Sequence, residues 1–175
     1  MKFLMFSLFL FLCLPVWSSQ YALEKSHINY TVKYTFKTVH AKTEKARGKG
    51  VCEKGSCQFL VAVPVKEFNS GDSSRDVRTL EVTKAALHPL VKFNVTVPEG
   101  NLKSDFKSDV EVELAGVKQT LKDIPFTVKK DGNQFSVSSK FAIQLTKFKI
   151  ERPKLLTIPI DDEVPIDFTS TWSVK

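Results

Sequence analysis

Hydrophobic and polar residues alternate along most of the chain. From Ile28 to Phe36 every second residue is aromatic or β-branched, and the residues between them are polar. A period of two places successive side chains on opposite faces of an extended chain, so this segment is predicted to be a half-buried strand. The same pattern predicts strands at residues 59–65, 91–97, 110–115, 117–128, 135–145 and 164–172. A short strand around residues 47–52, in which Gly48 and Gly50 allow a bend, brings the predicted number to eight.

One segment departs from this alternation. Residues 73–88 have apolar residues at mixed helical spacings, with Ser73 as a candidate N-cap and Asp76 three residues later. Pro89 cannot continue a helix. We therefore predict a helix, or a pair of helical turns, lying across one end of the sheet.

Antiparallel strands of this kind must bury their shared apolar face. A sandwich of two sheets does so, and a closed barrel does so while also removing the exposed edges. Alternation alone does not distinguish the two. An eight-stranded barrel has an interior just wide enough for packed side chains or for one small ligand. The predicted fold class is therefore all-β and mainly antiparallel.

The N-terminus has the layout of a secretory signal peptide over residues 1–18. Lys2 provides a positive charge, residues 3–14 are apolar apart from Ser7, and small residues occupy the two positions that a signal peptidase reads. The apolar run is shorter than the roughly 20 residues that span a bilayer, and no later stretch is long enough either. We predict cleavage after Ser18 or Ser19 and a single exported domain over residues 19–175, in the periplasm or outside the cell.

Two cysteines remain after the predicted cleavage, Cys52 and Cys57. They flank a four-residue turn, so they face each other at the ends of two hairpin strands, where a disulfide can bridge them. An exported compartment favours this bond. We interpret the pair as a clip on one hairpin, in preference to a catalytic dithiol.

The chain is basic, with a formal net charge of +7. Such a balance raises nucleic acid or an anionic membrane surface as partners. The lysines are, however, spread along the strands as outward-facing residues instead of being gathered in one patch. A solvated surface accounts for them, and a nucleic-acid partner is not expected.

The sequence does not assemble the groups that carry catalysis or bind metals. Its three histidines have no metal-ligand spacing, and no nucleophile elbow, phosphate-binding loop or dinucleotide fingerprint occurs. Arg75, Asp76 and Arg78 form the most polar cluster. Either an arginine stands at a cavity mouth and pairs with the polar head of a ligand, or Asp76 stabilises the first helical turn through the helix dipole. The chain is predicted not to be an enzyme and to need no metal or cofactor.

Phenylalanine is abundant, at 14 of 175 residues, and four of these lie in the predicted signal peptide. The others lie mainly on the inward faces of the predicted strands. Such residues form a plain aromatic core, or they line a cavity for an apolar ligand, which needs few polar groups at its entrance. Composition leaves both possibilities open.

Five segments resemble the YceI-like family. Residues 21–30 resemble its opening strand. Residues 68–76 and 88–93 resemble its central signature, in which an Arg-Asp pair opens a helical segment that ends in a proline and a strand. Residues 114–119 resemble a hairpin with a short turn, and residues 148–160 resemble the loop before the last strand. The segments follow the family's order over essentially the whole chain after the signal peptide.

The resemblance implies an eight-stranded, lipocalin-like barrel with a short helical segment, in the bacterial periplasm or secreted space. It also implies that the barrel binds a long-chain lipid, such as a polyisoprenoid, an isoprenoid quinone, or a fatty acid or amide. We therefore expect a non-catalytic lipid-binding protein, with transient membrane-surface contact and a homodimer as further possibilities. The alternative is a stress-related protein-interaction module whose barrel is filled by its own side chains.

Strand parity and the predicted helix select the residues that are expected to bind the ligand. They are Tyr30, Val32, Tyr34, Phe36, Phe59, Phe68, Arg75, Leu80, Leu87, Phe93, Phe126, Phe141, Ile143, Leu145 and Phe148. The hydroxyl groups of Tyr30 and Tyr34 and the guanidinium of Arg75 are expected to meet the polar head of the ligand. These inward positions contain no carboxylate or histidine, which argues against an enzyme that acts on a hydrophobic substrate.

Overall fold

The computed structural model describes residues 18–34, 36–155 and 157–175, so the predicted signal peptide lies outside the described residues up to position 17. Within these residues the strands are β1 (Ser19–Tyr34), β2 (Lys37–Thr43), β3 (Arg47–Glu53), β4 (Ser56–Pro64), β5 (Leu90–Pro98), β6 (Phe106–Leu114), β7 (Val117–Asp131), β8 (Gln134–Gln144), β9 (Lys154–Leu155), β10 (Ile158–Pro159) and β11 (Glu163–Val174). The helix α1 (Ser73–Val82) and three short 3-10 helices, Val65–Glu67, Glu99–Lys103 and Leu145–Phe148, lie between them. None of these helices is long and apolar enough to cross a lipid bilayer.

Eight strand positions close into an antiparallel barrel. The order around the ring is β1, β3, β4, β5, β6, β7, β8 and β11, and β11 pairs back with β1. β2 adds no ninth position, because it pairs with residues 28–34 of β1 while β3 pairs with residues 19–22 along the same edge. The predicted eight-stranded barrel is confirmed, and the sandwich is excluded.

The strand registers define two ends of the barrel. The helix end contains the β1–β2 turn, α1, the β6–β7 turn and residues 145–162, and the disulfide end contains the β3–β4 and β7–β8 turns. Backbone pairing between neighbouring strands is less continuous toward the helix end. Among the described residues, the outer edge of β2 makes one isolated bridge, between Lys42 and Asn69, and β7 pairs with β8 only over residues 127–131.

Alternation did not predict β2, nor the two-residue strands β9 and β10. The first predicted strand ends at Phe36, which in the structure lies in the turn between β1 and β2. β2 turns Val39 and Ala41 toward the interior, where both are buried. Two small apolar residues give a much weaker hydrophobic signal than the aromatic run in β1, so this strand escapes a search for alternation.

Two-residue turns join the β3–β4 and β6–β7 hairpins. Lys54 and Gly55 have φ angles of 51° and 79°, and Ala115 and Gly116 have φ angles of 51° and 76°. Two successive positive φ angles twist the turn in the sense that the flanking strands require. At the disulfide end, the β7–β8 hairpin closes between Asp131 and Gln134, and Gly132 in its turn has a φ angle of 56°.

The helix α1 is shorter than the predicted helical segment, and its cap differs from the prediction. Asp72, not Ser73, is the N-cap, and its side chain accepts hydrogen bonds from two backbone N–H groups of the first turn at 3.0 and 3.2 Å. Aspartate and serine cap helices about equally well, so the sequence does not decide between neighbouring candidates. The helix ends at Val82, and residues 83–87 form turns.

Aromatic side chains close the barrel at the disulfide end. The ring centroid of Phe59 lies 5.8 Å from that of Tyr21 and 5.0 Å from that of Trp172. A further edge contact joins Phe59 and Phe135 at 6.0 Å. Leu102, from the 3-10 helix between β5 and β6, is buried beside them. Tilted and edge-to-face ring contacts of this kind add about 0.5–1.5 kcal/mol each beyond their burial, so this end is firmly packed.

The predicted disulfide between Cys52 and Cys57 is present. The two residues are direct register partners in the β3–β4 hairpin, with their Cα atoms 4.0 Å apart, and both are buried. Because the strands extend to Glu53 and Ser56, the turn between them is shorter than the predicted four residues. The bond fastens the hairpin at the closed end of the barrel.

Removal of the disulfide is expected to lower stability moderately. In the variant Cys52→Ala/Cys57→Ala, loss of a ring of about six residues should cost about 2 kcal/mol of unfolding free energy, because the unfolded chain gains conformational freedom. For a domain of this size the melting temperature should fall by about 4–8 °C. Thermal unfolding followed by circular dichroism measures the melting temperature. The reduced wild type should have the same melting temperature as the double variant. An unchanged melting temperature would show that the strand ladder alone holds the hairpin.

Candidate functional site

Two cavities adjoin inside the barrel. The upper cavity, at the helix end, has a volume of about 1080 Å³, and the lower cavity, toward the disulfide end, has a volume of about 670 Å³, both including the space at their openings. Ile28, Phe93 and Ile166 border both cavities. The ring of Phe141 lies beside this junction, 6.2 Å from that of Phe93 between centroids. The two cavities are therefore sections of one interior, separated by a ring of side chains.

The lower cavity is almost entirely apolar. Among the described residues that line it, Ser170 has the only hydroxyl group, and its Oγ accepts a hydrogen bond from Nε1 of Trp172 at 2.9 Å. Because that polar pair is already satisfied, these walls favour a hydrocarbon chain. The lining consists of Ile28, Phe59, Val61, Phe93, Val95, Val97, Leu102, Phe106, Val110, Phe126, Phe135, Val137, Phe141, Ile166, Phe168, Ser170 and Trp172.

The upper cavity is apolar along its strand walls and polar where α1 covers it. Ser70, Arg75, Arg78, Thr79 and Thr83 contribute the polar groups. More than half of the Arg78 side chain is exposed, so the cavity reaches solvent beside the helix. The rest of the lining is Ile28, Tyr30, Val32, Tyr34, Val39, Val65, Phe68, Val82, Val91, Phe93, Leu114, Ile143, Leu145, Ile150, Pro153, Ile160, Val164 and Ile166.

Arg75 presents a hydrogen-bond donor at the polar side of the upper cavity. Its Nη2 lies 3.4 Å from Oδ2 of Asp72, whereas its Nε is buried and has no hydrogen-bond partner among the described residues. The backbone N–H of Arg75, followed by the guanidinium charge, lowers the pKa of Asp72, so this carboxylate stays charged and anchors one side of the guanidinium. A buried donor without an acceptor is costly. The Nε of Arg75 is thus a position where an oxygen of a ligand would fit.

Tyr30 connects the strand wall to the helix. Its hydroxyl oxygen lies 3.4 Å from Oγ1 of Thr79, which itself donates to the carbonyl oxygen of Arg75 at 3.0 Å. The hydroxyl of Thr79 therefore accepts from Tyr30. Burial raises the pKa of the Tyr30 phenol, which keeps it protonated and able to donate. The ring of Tyr30 packs 5.2 Å from that of Phe68 between centroids.

Most of the residues expected to bind a ligand border these cavities. The upper cavity is bordered by Tyr30, Val32, Tyr34, Phe68, Arg75, Phe93, Ile143 and Leu145, and the lower cavity by Phe59, Phe93, Phe126 and Phe141. They lie together because alternate residues of neighbouring strands share the inner face of the barrel. Their contact with a ligand stays a prediction.

Four expected lining residues lie elsewhere, and their assignment to the lining is wrong. Phe36 is 88% exposed, because it belongs to the turn after β1, where strand parity no longer determines side-chain direction. Leu87 is 76% exposed in the turns that follow α1. Leu80 is half-buried on α1, Phe148 is buried in the core, and neither borders a cavity.

Other lining residues were not expected from the sequence. Thr79 and Val82 join Arg75 on one face of α1, and their spacing of four and three residues is the signal that would have found them. Ile150, Pro153 and Ile160 come from the irregular segment before β11. That segment has no period, so no pattern in it predicts which side chains turn inward.

No carboxylate, histidine or cysteine side chain borders either cavity among the described residues. The same part of the chain contains no cluster of three or more potential metal ligands. His27 lies 3.3 Å from Glu44 between Nδ1 and Oε1, and His40 lies 3.0 Å from Thr31 between Nδ1 and Oγ1, both at exposed positions. The arrangement suits the binding of an apolar molecule that carries an oxygen at one end.

Residues 20–172 match the family described as the YceI-like domain. The chain belongs to the YceI-like family. The resemblance carried by the five sequence segments is thereby confirmed, together with the barrel that it implies. No curated protein matches this YceI-like chain.

Solved structures share the fold of this YceI-like protein. BcnA of Burkholderia cenocepacia is 18% identical, with a TM-score of 0.67 over 83% of this chain and 95% of its own. A polyisoprenoid binding domain from Saccharophagus degradans, implicated in plant cell wall breakdown, is 15% identical, with a TM-score of 0.72 over 89% of this chain and 98% of its own. The Campylobacter jejuni YCEI protein is 12% identical, with a TM-score of 0.62 over 82% and 88%. At these identities the likeness establishes the fold.

Proposed function

We propose that this YceI-like protein is exported and binds one long-chain apolar ligand inside its barrel, without catalysing a reaction. The ligand class is an isoprenoid, an isoprenoid quinone, or a fatty acid or amide. The observation that carries the proposal is the pair of adjoining cavities, whose walls are apolar except beneath α1. Together they form an interior that is elongated along the barrel and polar at one end.

The energy of burial favours a long chain. Each methylene transferred from water contributes about 0.8 kcal/mol, so ten methylenes contribute about 8 kcal/mol. Association itself costs about 4–15 kcal/mol through lost translational and rotational freedom. Ten methylenes are therefore near the break-even point, and firm retention requires a longer tail that occupies both cavities.

The comparisons support an isoprenoid within this class. One structure with the same fold is described as a polyisoprenoid binding domain.

The proposed export rests on the first eighteen residues and on the buried Cys52–Cys57 bond, because disulfides persist in oxidising compartments. A side-chain-filled barrel that serves only as a protein-interaction module is disfavoured by the cavity volumes.

The polar groups determine the proposed orientation of the ligand. The hydrocarbon tail lies in the lower cavity, among aromatic rings that need no polar partner. The head lies in the upper cavity, where the unpartnered Nε of Arg75 is a donor. The head group therefore carries at least one oxygen that accepts hydrogen bonds.

Arg75→Met is expected to weaken binding of ligands that carry an oxygen head. Methionine keeps much of the apolar stem and removes the donors, so affinity for a long-chain fatty acid or prenol should fall about tenfold. Affinity for the matching hydrocarbon without a head should change little. The hydrocarbon is therefore the control for any effect of the substitution on the shape of the cavity. Fluorescent-ligand displacement measures both. An equal loss for both ligands would show that Arg75 acts on the shape of the cavity and not on the head.

Native mass spectrometry of the protein from its own exported fraction tests the proposed function. We expect a stoichiometric mass increment that extracts into organic solvent as one long-chain species. A bare polypeptide mass, unchanged after incubation with prenyl quinones and fatty amides, would refute lipid binding and redirect attention to protein partners.

A further inference from the structure

Exposed large hydrophobic side chains are concentrated at the helix end of the barrel. Phe36, Val77, Leu87 and Ile158 all lie there, on the turn after β1, on α1, in the turns after it and in the β9–β10 hairpin. Val174, near the C-terminus, is the one such residue at the disulfide end of the described chain. Exposed hydrophobic side chains gathered at one site mark a contact surface more often than scattered ones do.

Phe36 and Ile158 stand on the rim of the upper cavity. Tyr34, two residues before Phe36, and Ile160, two residues after Ile158, both border that cavity. The two segments are joined where the backbone N–H of Asp161 donates to the carbonyl oxygen of Lys33 at 3.0 Å. Two apolar side chains thus lie on hydrogen-bonded neighbouring segments, each two residues from a side chain that borders the upper cavity.

The rim is also basic. Lys33 and Lys37 are exposed beside the β1–β2 turn, Lys42 is exposed further along β2, and no Asp or Glu occurs between Glu24 and Glu44. Lys147, Lys149 and Lys154, from the segment that ends β8 and leads into β9, are exposed as well. None of these six lysines forms an ion pair with another described residue, whereas lysines 92, 118, 122 and 140 each form one. The rim therefore has several positive charges free for an external partner, although the exposed Glu151 and Asp161 lie in the same segments.

We propose that this end of the barrel docks on an anionic phospholipid bilayer. Phe36 and Ile158 enter the boundary between head groups and acyl chains, and the rim lysines lie against the lipid phosphates. Amphipathic elements bind membranes in this way, through buried apolar area together with attraction to anionic lipid. Separate apolar tips surrounded by lysines fit a soft, charged surface better than they fit the continuous apolar patch of a protein partner.

Docking in this orientation turns the opening of the upper cavity toward the membrane. A long-chain molecule could then pass between bilayer and barrel with little exposure of its tail to water. The docking itself does not depend on the identity or the presence of a ligand.

Co-sedimentation with lipid vesicles tests the proposal. Wild-type protein is expected to bind vesicles of mixed phosphatidylglycerol and phosphatidylcholine, and to bind pure phosphatidylcholine more weakly. Phe36→Ser/Ile158→Ser should lower the partition coefficient about tenfold or more, because two apolar side chains no longer enter the interface. The matched control is Val174→Ser, since Val174 is 50% exposed and Ile158 48% exposed, at opposite ends of the barrel.

A second pair of variants tests the charges. Lys33→Gln/Lys37→Gln should lower binding to the phosphatidylglycerol vesicles about 30-fold, since each of the two lysines near an anionic membrane adds about one kcal/mol. Lys129→Gln/Lys130→Gln removes the same charge from β7 near the disulfide end and should leave binding unchanged. Equal losses in both pairs would overturn the proposal, because they would show attraction by net charge alone.

Other outcomes separate docking from ligand binding. If wild-type protein stays in the supernatant with both vesicle compositions, the proposed docking is wrong. The exposed apolar and basic residues would then be assigned to contact with a protein partner. Native mass spectrometry of Phe36→Ser/Ile158→Ser is expected to show the same bound mass as wild type, because neither side chain borders a cavity. Loss of the bound mass in that folded variant would place the two residues in the ligand site and contradict their assignment to docking.

Discussion

Phe93→Asp is expected to abolish retention of a long-chain ligand. Phe93 borders both cavities, so its replacement places a carboxylate at the point that a continuous tail must cross. The nearest ring, that of Phe141, offers no hydrogen bond to this charge, and an unpaired buried charge costs several kcal/mol. The same substitution at Thr96, further along β5, lies on the exposed outer face and should leave retention unchanged.

Retention is measured by native mass spectrometry on both variants, purified side by side. Because Phe93→Asp introduces a buried charge, a neutral variant is paired with it. Val32→Trp fills the upper cavity from β1, and Thr31→Trp adds the same side chain to the outer face. Full retention by a folded Phe93→Asp or Val32→Trp protein would place the ligand outside the barrel.

Gly50→Val is expected to cause the largest loss of stability. Gly50 is paired with Phe59 across β3 and β4, and a Cβ at this position would lie 2.5 Å from Cδ1 of Phe59 and 3.2 Å from Cβ of Tyr21. The ring of Phe59 cannot move freely, because it packs against Trp172 and Phe135. We expect a loss at or above about 3 kcal/mol, the upper end of ordinary overpacking costs.

Urea unfolding of Gly50→Val, with Gly100→Val as the control, measures this loss. A Cβ at Gly100 would meet no other heavy atom within 4 Å, so its substitution should change stability by no more than about 0.5 kcal/mol. The double variant Gly50→Val/Phe59→Ala should recover part of the loss if overlap with the ring is its cause. Equal midpoints for the two glycine variants would rule out that overlap.

The sequence predicts the strands well because they carry strong alternation, whereas the resemblance to the YceI-like family is what favours a barrel over a sandwich. Tyr30, Val32 and Tyr34 border the upper cavity, as the parity of β1 predicts. The sequence also predicts the disulfide, because Cys52 and Cys57 flank a short turn between two predicted strands. These features are local, so pattern and spacing suffice to find them.

The errors occur where local pattern ends. Phe36 continues the period of β1, but the chain turns before it, and no residue type in the sequence marks that point. Leu87 follows the predicted helix, but α1 ends at Val82 and leaves it outside. The free donor of Arg75 depends on how Asp72 caps the helix and on how the helix covers the opening, which only the folded chain determines.

The discontinuous pairing at the helix end divides the upper part of the barrel into two leaves. One leaf consists of β2, β1, β11 and β8, and the other of β4, β5, β6 and β7. Between the leaves, the Lys42–Asn69 bridge spans one gap, and the β7–β8 ladder begins only at Thr127 on the other side. Spreading the leaves would disturb few backbone hydrogen bonds, while the aromatic cluster and the disulfide hold the opposite end together. The helix end can therefore widen with the loss of few backbone hydrogen bonds, whereas the disulfide end keeps a fixed diameter.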